Sequence, residues 1–215
     1  MSRELVVVVS GGEAPEARAA LSIPAGTPVV AADRGLEHAL ALGLDVTVAV
    51  GDFDSASPEA IAVAESSGTR VVRHPAEKDA TDLELALDEA VGLGAARILV
   101  LAGTGGRLDH ELALLTLIAA PRYAAVRIDA MVGAARVHVI HGERTFEGEP
   151  GELVSLMPVH GRAEGVITEG LAYPLRGETL EPGTSRGISN VFESSSARVS
   201  LTAGVLLAIR PEHRA

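Results

Sequence analysis

Short apolar runs alternate with amphipathic segments through the first half of the chain. The runs are rich in Val, Leu and Ala with little polar alternation, which is typical of strands buried on both faces of a parallel sheet. They occupy residues 5–9, 29–32, 46–50, 70–73 and 97–101. Helical segments are predicted at residues 15–21, 36–42, 58–66, 82–92 and 112–119. The alternation predicts an α/β fold class, with an open parallel sheet and helices on both faces.

The pattern changes after Pro121, where short strand-like segments are separated by turns rich in Gly, Pro and Ser. These segments cover residues 124–132, 136–141, 153–157, 165–168, 188–192, 197–202 and 205–210. Their spacing predicts an all-β sandwich. We therefore expect two domains, an α/β domain over residues 1–130 and a β-sandwich domain over residues 131–215.

Composition narrows the class of protein. The chain has 215 residues, of which 47% are hydrophobic, and this is enough to fill a sizeable core. Its formal net charge of −11 argues against a general nucleic-acid binder, which needs Lys and Arg to neutralise phosphates. We also expect no signal peptide and no membrane span, because every apolar run is too short. The absence of cysteine fits a reducing cytoplasm.

Two aspartates follow the third predicted strand directly. Asp52 and Asp54 stand at spacing i, i+2, so an extended backbone would point both carboxylates to the same side. Two like charges at that distance need a counter-charge, and Mg²⁺ bound to a phosphate ester is the usual one. The alternative interpretation is a solvated turn in which Ser55 or Ser57 caps the next helix.

Further acidic residues follow the ends of the other predicted strands. Ligands of open parallel sheets bind beyond the carboxyl ends of the strands, where the strand order reverses. The acidic residues expected at this edge are Asp33, Asp52, Asp54, Asp79, Asp82 and Asp109, and the basic ones are Arg34, Lys78, Arg107 and His110. A phosphoryl-transfer site needs carboxylates that bind a metal, cations that bind phosphate, and glycines that let a ligand approach the backbone closely. The sequence predicts such a site at this edge of the sheet.

Structural roles compete with several of these assignments. Asp79 and Asp82 flank a helix start, where they could merely favour the positive end of the helix dipole. Thr81, with Glu84 three residues later, fits a helix cap better than a ligand. Asp109 could likewise be a cap residue. The glycine-rich turn at residues 103–106 is not a Walker loop, because no GKS or GKT follows it.

Taken together and in order, the motifs resemble those of the thiamine pyrophosphokinase family. The matching elements are residues 33–35, residues 51–55, the Lys78-Asp79-x-Thr81-Asp82-x-Glu84 segment, the Gly105-Gly106-Arg107-x-Asp109-His110 segment and the Gly187-Ile188-Ser189-Asn190 segment. The resemblance implies an ATP- and Mg²⁺-binding α/β domain, a β-sandwich, and a homodimer that holds thiamine between its subunits. It also implies transfer of the pyrophosphoryl group of ATP to the hydroxyl of thiamine, which gives thiamine diphosphate and AMP.

The resemblance also implies roles for individual residues. Metal ligands, direct or through water, would be Asp52, Asp54, Asp79 and Asp82, and the catalytic set would be Asp54, Asp82, Arg107 and Asp109. Asp109 would position or deprotonate the thiamine hydroxyl. Residues on the nucleotide side would be Asp33, Lys78, Thr81, Gly105, Gly106, Arg107 and His110. Ser189 and Asn190 would contact thiamine.

Three departures from the family pattern leave other functions open. Arg34 stands where the family usually has a glycine, Leu114 stands where it commonly has an asparagine, and the chain has no Trp to stack on a thiazolium. One alternative is a pyrophosphokinase that acts on another hydroxymethyl heterocycle, such as a pterin. A second alternative, of a different class, is a non-catalytic sensor of nucleotide or thiamine.

Overall fold

The computed structural model describes residues 3–211. Within this range the chain forms two compact units. The first comprises the chain up to residue 114 together with residues 125–133. The second comprises residues 115–124 and the chain from residue 134 onward. Each unit is described by itself below.

The first unit is built on a parallel sheet of six strands. Its strands are β1 (Arg3–Val9), β2 (Val29–Ala32), β3 (Val46–Gly51), β4 (Arg70–Arg73), β5 (Ala95–Ala102) and β6 (Arg127–Val132). Its helices are α1 (Gly35–Ala41), α2 (Pro58–Ser66), α3 (Asp82–Gly92) and α4 (Leu108–Ile118), the last of which continues into the second unit. No helix between residues 3 and 211 combines the length and the apolar character needed to cross a membrane.

The strand order explains why the apolar runs are continuous. The six strands lie in the order β4-β3-β2-β1-β5-β6, and every neighbouring pair is parallel. Central strands are covered on both faces, so all four valines at residues 6–9 of β1 are fully buried. Strand β4 lies at the edge, and its two arginines are exposed. The predicted fold class is confirmed.

Two helix starts follow the predicted capping chemistry. The Ser57 hydroxyl accepts a hydrogen bond from the backbone N–H of Ala60 at 3.3 Å, and Pro58 is the first residue of α2. The Thr81 hydroxyl accepts one from the N–H of Glu84 at 3.2 Å. Thr81 is therefore a helix cap in this structure.

Other sequence-based boundaries were wrong. The helix predicted at residues 15–21 is only a 3₁₀ turn, Ala17–Ala20. The helix predicted at residues 112–119 begins four residues earlier, because the Arg107 carbonyl already accepts from the N–H groups of His110 and Glu111. The polar first turn of α4 has no apolar periodicity that would mark it as helical. The strand predicted at residues 124–132 begins at Arg127 and is the sixth parallel strand, so only its ending was predicted correctly.

The second unit contains the antiparallel strands. They are β7 (Ala135–Ile140), β8 (Glu143–Glu147), β9 (Leu153–Glu169), β10 (Arg176–Leu180), β11 (Asn190–Val191), β12 (Ser196–Ser200) and β13 (Ala203–Arg210). The order is β7-β13-β9-β12-β8, and β10 and β11 also pair with β9. Apolar side chains including Leu156, Val166, Phe192 and Leu206 form one buried cluster. This agrees with the predicted sandwich.

Strand β9 was predicted as two separate strands, at residues 153–157 and 165–168, but it is continuous over 17 residues. Its first part pairs with β13 and its last part with β12. The backbone bends where His160, Gly161 and Gly165 adopt positive φ angles of 57°, 114° and 63°. Bends of this kind re-aim a strand without ending it, so glycine was misread as a turn signal. Strands β8 and β10 were not predicted from the sequence.

A buried ion pair ties the last strand of the second unit to the start of β9. Arg210 donates from Nε and Nη2 to the two carboxylate oxygens of Glu152, at 2.8 and 2.7 Å. Both side chains are nearly inaccessible, at 8% and 11% exposure. The Arg210 guanidinium also lies over the Phe192 ring at 5.4 Å from its centroid. Each charge is thus compensated by a bidentate partner.

Candidate active site

Three aspartates from separate loops of the first unit converge. Asp33 follows β2, Asp52 follows β3, and Asp82 is the first residue of α3. One carboxylate oxygen from each lies within 4.8 Å of the other two. Because β2 and β3 are parallel neighbours, their carboxyl ends meet at one edge of the sheet, and α3 begins at the same edge. We call these residues the carboxylate trio.

Unusual backbone conformations permit this approach. Asp33 and Phe53 have positive φ angles of 47° and 60°, which non-glycine residues seldom adopt. Gly51 has φ 154°, and a Cβ there would lie 3.1 Å from the Asp33 Cβ and 3.2 Å from the Asp82 Oδ1. The Phe53 ring is buried, with the Arg73 guanidinium 5.3 Å from its centroid. Gly51 thus provides the space for the trio, and Phe53 anchors the turn that carries Asp52.

Lys78 supplies a positive charge inside the trio. Its Nζ lies 2.8 Å from the Asp52 Oδ2 and 3.1 Å from the Asp82 Oδ1, and its side chain is 14% exposed. The hydrogen bond from Lys78 lowers the pKa of Asp52. Burial alone would lower the pKa of Lys78, but its hydrogen bonds to Asp52 and Asp82 raise it overall. Lys78 is therefore a charged ammonium group at neutral pH.

One lysine does not balance three carboxylates. Burial raises the pKa of Asp82, and the nearby charges of Asp52 and Asp33 add to the increase. The Asp33 Oδ1 is buried without a hydrogen-bond partner, and the buried Asp82 Oδ1 has the Lys78 ammonium 3.1 Å away. The other Asp33 oxygen accepts a hydrogen bond from the Ser55 hydroxyl. Three carboxylates and one ammonium leave a formal charge of −2, so the trio fits a divalent cation.

Two of the aspartates assigned to metal from the sequence lie outside the trio. Asp54 is exposed, and its backbone N–H donates to the Asp52 Oδ1 at 3.2 Å. The positive φ of Phe53 turns the chain between them, so the i, i+2 rule for an extended strand does not apply here. Asp79 is also exposed. Metal binding by Asp54 and Asp79 stays a prediction.

Arg107 and Asp109 form an exposed pair at the start of α4. Arg107 donates from Nε and Nη2 to the two Asp109 oxygens, at 3.2 and 2.6 Å. The hydrogen bonds from Arg107 lower the pKa of Asp109, and Asp109 in turn raises the pKa of Arg107. The N–H of Gly105 donates to the Glu111 carboxylate at 2.9 Å, a contact that sequence reasoning missed. His110 is exposed in the same turn, as is Gly106 in the loop before it.

The strand order reverses between β1 and β5, which places a ligand crevice beyond their carboxyl ends. The loop after β1 approaches the loop after β5, where the Gly103 N–H donates to the Glu13 carbonyl at 3.2 Å. A Cβ on Gly103 would lie 2.5 Å from that oxygen, so only glycine fits there. The β1 loop was not assigned to the site from the sequence.

The departures from the family pattern have clear structural positions. Arg34 points outward, with 53% of its side chain exposed and its Nε 3.7 Å from the Glu37 carboxylate. Leu114 is 5% exposed and belongs to the apolar interior. Neither residue brings a polar group to the carboxylate trio.

The second unit has a cavity of about 400 Å³. It is lined by Tyr173, Leu175, Ser185, Arg186, Gly187, Ile188, Ser189 and Asn190. Tyr173 is 59% exposed, and Ser189 has a positive φ of 56°. Arg186 donates to both carboxylate oxygens of Glu178 at 2.9 and 2.8 Å, which neutralises the one cation of the lining. Sequence reasoning found Ser189 and Asn190 but not Tyr173 as a member of this wall.

The site combines carboxylates suited to a divalent cation with a lysine, and it lies at the carboxyl edge of a parallel sheet. This combination defines the class of α/β phosphotransferases. The family models "Thiamin pyrophosphokinase, catalytic domain" and "Thiamin pyrophosphokinase, vitamin B1 binding domain" match residues 24–130 and 137–206. The structure of the thiamin pyrophosphokinase of Geobacillus thermodenitrificans is similar at 30% identity and a TM-score of 0.80, covering 98% of this chain and 99% of that one. The chain belongs to the thiamine pyrophosphokinase family.

Two further relatives agree with this assignment. The thiamine pyrophosphokinase of Bacillus subtilis (strain 168) is 28% identical over 183 residues, which cover 84% of this chain and 86% of the relative. A thiamin pyrophosphokinase family protein of Enterococcus faecalis superposes with a TM-score of 0.79 at 30% identity, covering 99% of this chain and all of that one. The family predicted from the sequence motifs is confirmed.

Proposed function

We propose that the carboxylate trio binds Mg²⁺ together with the phosphates of ATP, and that the cavity of the second unit binds thiamine. Family membership supplies the reaction: the chain is a thiamine diphosphokinase, which transfers a pyrophosphoryl group to thiamine. The hydroxyl oxygen of thiamine forms a bond to the β-phosphorus of ATP, and the bond from that phosphorus to the oxygen bridging the α-phosphorus breaks. AMP leaves, and the hydroxyl proton passes to a carboxylate.

The observation that carries the metal site is the convergence of three carboxylates around one lysine, with the buried Asp33 Oδ1 left without a hydrogen-bond partner. Such an atom is costly to bury unless a cation or donor meets it. Mg²⁺ binds through few carboxylates, retains water and takes phosphate oxygens. When bound, it would neutralise the phosphate charge and orient the group that is transferred. Asp54 and Asp79 stand close in sequence to the trio, and we propose that they contact the ion through water.

The remaining charged residues have complementary roles. Lys78 lies among the carboxylates and would offset charge on the transferred phosphates. Arg107 is 71% exposed, and its guanidinium would donate hydrogen bonds to a phosphate instead of to Asp109. Release from Arg107 would make Asp109 more basic, because that pairing lowers its pKa. Asp109 is then available to position or deprotonate the thiamine hydroxyl. Gly105, Gly106 and His110 would line the nucleotide side of the same loop.

The cavity of the second unit suits a cationic heterocycle. The exposed Tyr173 ring offers a face for the thiazolium, and Leu175 and Ile188 supply apolar contacts. Because Arg186 is paired with Glu178, it does not oppose a positively charged ligand. The exposed Ser189 hydroxyl adds a polar group to the lining. A tyrosine therefore replaces the tryptophan that the chain lacks.

We propose that the enzyme is a homodimer formed through the second unit. Leu153 and Met157 lie on one face of β9 and are 45% and 40% exposed, and Ile188 beside the cavity is 41% exposed. An apolar face next to a ligand cavity fits a second copy that would complete the wall of the thiamine site. Light scattering is expected to give twice the chain mass, and Met157→Glu is expected to yield monomers with a raised KM for thiamine. A monomeric wild type with full activity would contradict the proposal.

An acceptor assay tests the function directly. With ATP, Mg²⁺ and thiamine, we expect stoichiometric formation of AMP and thiamine diphosphate, measured by chromatography. A hydroxymethyl pterin is expected to give no AMP above background, because its neutral ring gains no cation–π attraction from the Tyr173 face. AMP formed with the pterin and not with thiamine would overturn the choice of acceptor. Nucleotide binding without any AMP would favour a sensor. The cytoplasmic location stays a prediction.

A further inference from the structure

Asn190 is the only asparagine in the chain, and its side chain is engaged with backbone. Its Oδ1 accepts hydrogen bonds from the N–H groups of Tyr173 and Val191, both at 2.9 Å. Its Nδ2 donates to the Tyr173 carbonyl at 2.8 Å. The residue is 2% exposed. The Asn190 amide therefore pairs with the Tyr173 backbone as a neighbouring strand would. It accepts from the Tyr173 N–H and donates to the Tyr173 carbonyl.

The turn that carries Asn190 is fixed independently by strand β9. The Gly187 carbonyl accepts from the Leu156 N–H at 2.8 Å, and the Ser189 N–H donates to the Ser155 hydroxyl at 3.0 Å. A Cβ on Gly187 would lie 2.6 Å from the Leu156 carbonyl oxygen. The turn at residues 187–190 thus forms a rigid wall of the cavity. Asn190 joins this wall to Tyr173, which belongs to the opposite segment of the lining.

We propose that Asn190 is a positioning residue, which holds the Tyr173 ring in place for the acceptor, and that it does not contact thiamine. This inference rests on the proposed binding of thiamine in the cavity, and it differs from the sequence-based assignment of Asn190 as a substrate contact. Both lone pairs of the Asn190 Oδ1 are used, and one of its two amide hydrogens is used as well. The contact with the acceptor is left to Tyr173 and to the exposed Ser189.

Steady-state kinetics of Asn190→Ala give the first test. The KM for thiamine is expected to rise by about tenfold, because Tyr173 loses two hydrogen bonds that hold it. The KM for ATP and the kcat at saturating thiamine are expected to stay within about twofold of wild type. Thr69→Val is the matched control, since the Thr69 hydroxyl makes a buried hydrogen bond to the Val46 carbonyl in the first unit. It is expected to lower thermal stability without changing the KM for thiamine.

A double-mutant cycle with Tyr173→Ala separates positioning from direct contact. If Asn190 acts only through Tyr173, its removal has no further effect on the KM for thiamine once the ring is gone. A direct contact would give additive effects. If Asn190→Ala fails to fold, Asn190→Asp carries the same cycle. Its carboxylate keeps the acceptors for Tyr173 and Val191 but opposes the Tyr173 carbonyl, so the KM for thiamine is expected to rise here as well.

Tyrosine fluorescence provides a readout that needs no turnover. The chain has two tyrosines and no tryptophan, and Tyr123 is only 3% exposed, so acrylamide quenching reports mainly on Tyr173. In Asn190→Ala without thiamine, we expect stronger quenching and lower anisotropy, and we expect neither in Thr69→Val. Unchanged anisotropy together with additive KM effects would overturn the inference. A wild type that binds no thiamine in calorimetry would instead overturn the proposed function. The anisotropy would still test whether Asn190 holds Tyr173 in place.

Discussion

Replacing Asp82 with Asn is expected to lower kcat by about 10³-fold, with little change in thermal stability. The substitution keeps the shape of the side chain but removes one of the three charges that face the cation site. Asp82 lies beside two other carboxylates with a single lysine among them, and burial raises the pKa of its carboxyl. These features cost stability in the absence of a cation, so the substitution harms the chemistry far more than the fold.

AMP release under saturating substrates measures this loss, and circular dichroism checks the fold. Asp45→Asn is the matched control, because Asp45 is exposed at the opposite end of the same strand β3 and is expected to leave kcat unchanged. Asp54→Asn tests the sequence-based assignment of Asp54 in the same assay. A loss similar to that of Asp82→Asn supports metal binding by Asp54, and wild-type rates exclude it. Wild-type activity in Asp82→Asn itself would remove the trio from the mechanism.

Replacing Glu152 with Ala is expected to lower the free energy of unfolding by about 3–5 kcal/mol. The change leaves the Arg210 guanidinium buried without its bidentate partner, and the backbone N–H of Glu149 also loses its contact with the Glu152 carboxylate. The desolvation cost of an unpaired charge accounts for most of this effect. Urea denaturation followed by circular dichroism measures it.

The double variant Glu152→Leu with Arg210→Met distinguishes the unpaired charge from lost packing. It replaces both partners with apolar side chains, so stability is expected to return to within about 1–2 kcal/mol of wild type. A double variant as unstable as Glu152→Ala would show that the site depends on shape or on the stacking of Arg210 over Phe192. An unchanged stability in Glu152→Ala would contradict the account of the ion pair.

Local chemistry made most of the first unit predictable. Continuous apolar runs marked the buried parallel strands, and Ser57 and Thr81 marked two helix starts. The errors arose where position in the sheet decides the structure. Strand β9 continues through glycines because neighbouring strands pair with it on both sides of each bend. Strands β8 and β10 are short and polar, and only their partners make them strands.

The candidate site was predictable as a set of residues but not as a geometry. The carboxyl-end rule brought Asp33, Asp52 and Asp82 to one edge, but it did not show that the positive φ of Phe53 turns Asp54 away. In the same way, a motif suggested Asn190 as a ligand contact, and the motif did not show that its amide hydrogen-bonds to the backbone of Tyr173. Backbone conformation places Asp54, and long-range hydrogen bonding places the Asn190 amide. The spacing of residues in the sequence signals neither the conformation nor the hydrogen bonds.

Titration of Mg²⁺ into the protein with a non-cleavable ATP analogue tests the central claim most directly. The claim is that a divalent cation joins the nucleotide phosphates to Asp33, Asp52 and Asp82. Calorimetry is expected to show saturable Mg²⁺ binding to wild type and to Asp45→Asn, and binding at least about tenfold weaker in Asp52→Asn and Asp82→Asn. Wild-type Mg²⁺ affinity in both trio variants would contradict it.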